Sequence, residues 1–198
     1  SYEHTDKLGK TLKQIAKEKA GIIKSGKPHL IGLLPQQAME IFERQCKKLK
    51  SPLYRLSRTD FRMQIERMLV DFKDKGLKLA EVAPALYGPH QLKNTALVLK
   101  AASIFRQNGL YVSEKAVTEG IKNTNWPGRF QVLSRVGYPT VVLDVAHNPG
   151  GVRAFVKAFQ IRFPHKPATL ITGFVKGKKH QPMFDILSKI ASAYALVP

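Results

Sequence analysis

The sequence predicts an α/β chain, and two observations carry that reading. Short apolar runs of buried-strand type alternate with segments whose apolar residues recur at helical spacing. Beyond residue 126 the alternation becomes regular, strand–helix–strand–helix–strand, the order in which a Rossmann-like parallel sheet begins. In order along the chain, Leu8, Leu12, Ile15, Ala16 and Ala20 mark a first helix that stops at Gly21. Residues 28–34 form a short apolar run closed by Pro35, and Ala38, Ile41, Phe42 and Leu49 then return to helical spacing over 36–49. Strand candidates follow at 53–56 and 62–69, with a Lys-rich turn at 73–76. Two further helices are expected over 91–108 and 113–122, the second opened by Ser113 with Glu114 in its first turn. The stretch 123–128, Asn-Thr-Asn-Trp-Pro-Gly, is a break. A domain boundary placed there divides the chain into 1–125 and 126–198. After it come a strand at 140–144, a helix at 150–163, a strand at 168–174, a helix at 182–191 and a strand at 193–197.

Composition narrows the class. With 43% hydrophobic and 24% charged residues in 198, the chain can bury a core and stay water-soluble. No apolar run approaches the roughly 20 residues that cross a bilayer, so no membrane partner is expected. The N-terminus, Ser1-Tyr2-Glu3-His4, lacks both an initiator Met and an apolar signal core, and so reads as cut from something longer. The single cysteine, Cys46, has no internal disulfide partner and lies in a helical pattern, which fits a cytoplasmic location. The 33 Lys plus Arg against 14 Asp plus Glu give a formal net charge of +19, which attracts polyanions at long range. The basic residues are spread over the whole chain, without zinc-finger spacing or an RNP-like aromatic box, so no specific nucleic-acid partner is expected.

Four constellations could carry chemistry. The first is His4 with the segment Glu18-Lys19-Ala20-Gly21-Ile22; taken alone, Lys19 is an ordinary solvated helix residue, and His is an unusual ligand for the hard Mg²⁺ ion. The second is Gly88-Pro89-His90-Gln91-Leu92-Lys93-Asn94, which puts Asn94 one helical turn beyond His90 on the same face. An Asn amide there offers a donor and an acceptor to a purine edge, or the segment merely opens a helix. In the third, Asp144-Val145-Ala146-His147-Asn148-Pro149-Gly150-Gly151, Asp144 and His147 stand at the C-terminal end of a strand, where open α/β sheets bind ligands. Asn148 as a cap and Pro149 as first helical residue explain the same turn structurally, and the two readings are compatible. The fourth is Arg129 in Trp126-Pro127-Gly128-Arg129, a forked cation suited to phosphate oxygens or a plain linker residue. Gly9-Lys10-Thr11 ends like a phosphate loop, but His4 stands where that loop needs its first Gly, and Gly173–Lys179 fails the spacing as well.

Taken together, these segments resemble the folylpolyglutamate synthase and dihydrofolate synthase family within the Mur ligase superfamily. The matches run in the family's order: His4-Thr5 with Leu8-Gly9 and Thr11, Ile15-Ala16, Glu18–Ile22, Gly88 with His90-Gln91 and Asn94, Trp126–Arg129, and Asp144–Gly151. The resemblance implies the later part of a Mur-ligase-type ATP-binding domain followed by the start of a Rossmann-like C-terminal domain. It implies that His4 binds Mg²⁺ and that Lys19 is carbamylated beside the metal. It also implies that Asn94, Arg129 and Asp144 contact ATP, with His147 as a catalytic neighbour. The implied reaction passes the γ-phosphoryl group of ATP to a carboxylate of a folate or of dihydropteroate, and L-glutamate then displaces phosphate to form an amide. A monomer is expected. Two departures stand out: Glu3 replaces the Asp usual before the His, and residues 173–180 lack the family's Asp-Lys-Asp-like stretch. The family's phosphate loop and second carboxylate ligand precede the His, so the reading expects an incomplete chain that is inactive alone. A Mur-type ligase of cell-wall precursors and a non-catalytic basic polyanion binder are the alternatives.

Overall fold

The computed structural model describes residues 11–174 and 180–197. The chain forms two compact units. Among the described residues, one comprises those up to Arg62 with Phe72–Leu79 and Ala96–Glu114, and the other Met63–Asp71, Ala80–Thr95 and those from Lys115 onward.

In the first unit, α1 (Leu12–Ala20) starts at Thr11, whose side chain accepts from the Gln14 amide at 3.2 Å while the Gln14 side chain accepts from the Thr11 N–H at 3.1 Å. This reciprocal cap satisfies two of the donors that a helix start leaves open. The apolar face of α1 buries Ile15, Ala16 and Ala20, and its end at Gly21 is where the sequence stops it. Ala16 and Ala20 share a core with Ile23, Ile31, Ala38, Phe42 and Cys46. Each large member of such a core contributes about 1.5–3 kcal/mol by leaving water. Cys46 is 3% exposed, so it is a core residue of α2 (Gln36–Lys48). Strands β1 (His29–Ile31) and β2 (Leu53–Arg55) pair in parallel around that helix, in register His29 with Leu53 and Ile31 with Arg55.

The region between 61 and 82 departs from expectation. A single strand over 62–69 was expected, whereas the chain makes three: β3 (Phe61–Gln64), β4 (Leu69–Lys73) and β5 (Lys78–Val82), in the sheet order β3-β4-β5. The first reversal closes through Met68 N–H to Ile65 carbonyl, with Met68 at φ 53°. No Gly, Asn or Pro marks that turn, which is why the pattern reads as continuous. The second reversal falls at the expected Lys-rich turn, where Asp74 accepts from the N–H groups of Gly76 and Leu77.

Helix α3 (Pro89–Gln107) opens with Pro89, and α4 (Glu114–Lys122) buries Val117 and Ile121. In the second unit, β7 (Val141–Leu143) was expected as a buried member of a parallel sheet. It pairs antiparallel with β6 (Gln131–Leu133), a strand too short to show in the pattern, and Val141 and Leu143 remain 46% and 44% exposed. The parallel pairing appears one step later, between β8 (Ala168–Thr172) and β9 (Ala191–Leu196). Helix α5 (Pro149–Arg162) connects β7 to β8, and α6 (Gln181–Leu187) connects β8 to β9. Their core is Phe130, Val152, Val156, Phe159, Met183, Leu187 and Ile190. The α/β expectation therefore holds.

Candidate functional site

Four of the six residues singled out from the sequence, Asn94, Arg129, Asp144 and His147, lie in the second unit. The half-buried Asp144, just past the end of β7, is the fixed point among them. One of its carboxylate oxygens accepts from the Phe130 N–H at 2.9 Å and the other from the Ala146 N–H at 2.8 Å. The Val145 N–H donates to the Gly128 carbonyl at 2.9 Å, and the Gly128 N–H donates to the Gln131 side chain at 3.1 Å. Two chain segments some 14 residues apart are thus stapled together, and Arg129 is held between them. Gly128 sits at φ +71°, and a Cβ there would come within 2.8 Å of the Val145 side chain, so both conformation and space call for glycine. Phe130 anchors the other side: it is 4% exposed, stacks on Tyr87 at 5.2 Å and packs against Phe155 at 5.8 Å.

Asp144 is held by backbone N–H groups, and no ion pair joins it to Arg129. Among the described residues Arg129 has no side-chain partner, and its exposed guanidinium is available to an anion. Asn94 is exposed on the first turns of α3, where its amide nitrogen donates to the buried Gln91 side chain at 2.9 Å. That contact leaves the amide oxygen and one N–H for a ligand. The sequence reading did not give Gln91 this anchoring role, although the three-residue spacing was visible. His147 is exposed, and its Nδ1 lies 3.0 Å from the Val145 carbonyl. A carbonyl only accepts, so Nδ1 donates in this contact and Nε2 is left facing outward from it. Asn148 accepts from the Gly151 N–H at 2.8 Å and Pro149 is the first residue of α5, so the structural reading of this turn holds beside the functional one.

His90 joins the group through electrostatics. Burial lowers its imidazole pKa below the ordinary value; Asp144 draws it back up and Arg129 pushes it down again. A cavity of about 870 Å³ in the same unit is lined by β7, α5 and β8 residues such as Val141, Leu143, Phe155, Phe159 and Leu170, together with Asp144 and Lys166.

Lys19 stands apart from this group, in the first unit, on the last turn of α1 with its side chain exposed. His4 lies outside the described residues, as do residues 175–179 of the stretch 173–180. Among the described residues no three His, Cys, Asp or Glu side chains converge as a metal site. As a free ammonium Lys19 is no ligand for Mg²⁺; as a carbamate it presents the oxygen donors that the ion prefers, and its exposure leaves the amine accessible to carbon dioxide. No helix among the described residues is long and apolar enough to cross a membrane.

Comparison with known proteins finds relatives along the whole chain. Residues 128–197 match the family model described as Mur ligase, glutamate ligase domain. The dihydrofolate synthase/folylpolyglutamate synthase of Bacillus subtilis is 29% identical over 197 residues, covering 97% of this chain and 45% of that protein. The Escherichia coli protein of the same description is 34% identical over 151 residues, 75% of this chain and 33% of the relative. An FPGS–AMPPCP–folate complex superposes on 100% of this chain and 49% of its own, with a TM-score of 0.84 and 29% identity. The folylpolyglutamate synthetase of Lactobacillus casei gives a TM-score of 0.77 at 28% identity, over 94% of this chain and 47% of its own. The chain spans less than half the length of these relatives.

Proposed function

We infer that this chain, which belongs to the folylpolyglutamate and dihydrofolate synthase family of Mur-type ligases, supplies nucleotide-binding side chains to an ATP-dependent ligase that joins L-glutamate to a folate-type carboxylate. The observation that carries the reading is the arrangement around Asp144: the carboxylate is held by two backbone N–H groups, and Arg129 beside it has no side-chain partner among the described residues and is open to an anion. Relatives captured with AMPPCP and folate support the choice of nucleotide and acceptor.

In this proposal Arg129 offsets charge on the phosphate oxygens, Asn94 offers its free amide groups to the base, and the fixed Asp144 accepts from a ribose hydroxyl or an N–H of the nucleotide. The γ-phosphoryl group passes to the acceptor carboxylate, giving an acyl phosphate and ADP. The amino group of L-glutamate then attacks the acyl carbon, loses a proton and expels phosphate; His147, its Nδ1 held by the Val145 carbonyl, is the side chain placed to take that proton. Positioning and charge stabilisation provide most of the rate gain in such transfers. Mg²⁺, held by His4 and carbamylated Lys19, would neutralise phosphate charge. A domain boundary at 125/126 is part of the proposal, supported by the glutamate ligase match that begins at residue 128. A cytoplasmic monomer completes it, and light scattering tests the monomer.

Calorimetric titration with AMPPCP tests the reading. Saturable binding that Arg129→Gln weakens at least tenfold is expected; no binding at millimolar nucleotide removes the proposal. The net charge of +19 favours a second reading, non-catalytic polyanion binding. That reading predicts retention on heparin or nucleic acid with a steep salt slope and indifference to nucleotide.

A further inference from the structure

His90 is the second residue of α3, and its ring folds back over the loop that precedes the helix. Gly88 makes the fold-back possible: at φ +118° it has no side chain, and a Cβ there would meet His90 Cε1 at 3.0 Å, His90 Nδ1 at 3.1 Å and the Ala158 methyl at 3.1 Å. Nδ1 is sealed from water, and among the described residues it has no hydrogen-bond partner. A buried N–H without an acceptor is the costlier way to leave such an atom, so the proton belongs on Nε2 and the Nδ1 lone pair faces inward. Asp144 and Arg129 are the charged groups that act on this ring, and burial keeps it uncharged near neutral pH. The loop beneath the ring also abuts the Asp144 segment: Tyr87, next to Gly88, stacks on Phe130 at 5.2 Å, and the Phe130 N–H donates to Asp144.

We propose that His90 is a binding residue, an uncharged Nε2–H donor whose partner is an acceptor oxygen of the nucleotide that lies beside Arg129 and Asp144. The assignment rests on the nucleotide reading above and adds a residue to it. An uncharged donor complements Arg129 there. It binds an oxygen without raising the charge that the site must desolvate, and it adds no repulsion against the guanidinium. The acceptor oxygen comes from the sugar or from a phosphate, and the two sources are separable.

The test is a long-range ¹H–¹⁵N correlation on the histidine-labelled chain, with nitrogen spectra of the arginine side chains, titrated with ADP, adenosine and tripolyphosphate. A neutral Nε2–H tautomer for His90 before ligand is added, and a shift of its Nε2 signal on ADP, are expected. A shift with adenosine assigns the sugar, and one with tripolyphosphate assigns a phosphate. In parallel, His90→Gln, whose amide N–H reaches the position of Nε2, should keep ADP affinity within about threefold. His90→Phe should lose roughly tenfold, the size of one neutral hydrogen bond. An Nδ1–H or cationic His90 overturns the inference, as does ADP that shifts Arg129 but leaves His90 unmoved. Silence of both residues toward ADP removes the nucleotide reading along with it.

Discussion

The two units treat their charges in opposite ways. In the first, Lys100 lies 3.0 Å from Asp60 and 3.1 Å from Asp74, with side-chain exposures of 14%, 15% and 7%, and Ser103 donates to Asp74 as well. The charges there pair with one another. In the second unit Asp144 is held by backbone N–H groups, and among the described residues neither Arg129 nor the Nδ1 of His90 has a side-chain partner. A cluster of the first kind holds elements together, whereas one of the second kind keeps side chains available to something that is not protein.

Removing one partner from each cluster should therefore have unlike consequences. Lys100→Met leaves two carboxylates buried without their cation and should cost about 3–5 kcal/mol of stability in urea denaturation. A loss under about 1 kcal/mol would show that the triad is solvated. Arg129→Gln should instead lower AMPPCP affinity by roughly 10- to 150-fold, the loss of one charged hydrogen-bonding group, with unfolding free energy within about 0.5 kcal/mol of the parent. Equal damage to stability would show that Arg129 is structural. Gly128→Ala breaks the contrast by acting on both properties: a left-handed φ and the crowding against Val145 should cost about 1–3 kcal/mol and weaken nucleotide binding together.

The smallest effect is the pH response of the Lys100 cluster. Burial alone would raise the Asp74 pKa, but hydrogen bonds from Ser103, Gly76 and Lys100 and the charge of Lys100 outweigh it and set it below the usual 3.8. A lowered carboxyl pKa contributes stability that is present above 3.8 and lost as pH falls through the folded-state value, so the loss should be confined to strongly acid solution. Lys100 runs the other way: burial would lower its pKa, but Asp60 and Asp74 raise it above 10.5. Its contribution is fully present below 10.5 and is lost as pH rises through the higher folded-state value. Lys100→Met should flatten both limbs of a stability-against-pH curve; unchanged limbs would assign them to other groups.

Much of this organisation was legible before any coordinates. The stop at Gly21, the cap at Asn148 with Pro149 behind it, and the placing of Asp144 at a strand end are local features, set by residues within a few positions of one another. The turn at 65–68 was not legible, because it places Met68 in a left-handed conformation without a residue type that announces one. Nor was β6, whose three residues acquire a periodicity only when paired with β7.

By itself, the sequence determined the alternation of strands and helices, the family resemblance, and which side chains could serve a nucleotide. Only the tertiary structure decided what each of those side chains does with its charge. Asp60 and Asp74 meet Lys100 across 40 and 26 positions, whereas Asp144 is claimed by the Phe130 N–H across 14. Nothing in the local pattern around any of these aspartates says which will be neutralised by a lysine and which will be held by backbone. Packing settles it, because a buried carboxylate takes whichever donors the folded chain brings within hydrogen-bonding reach.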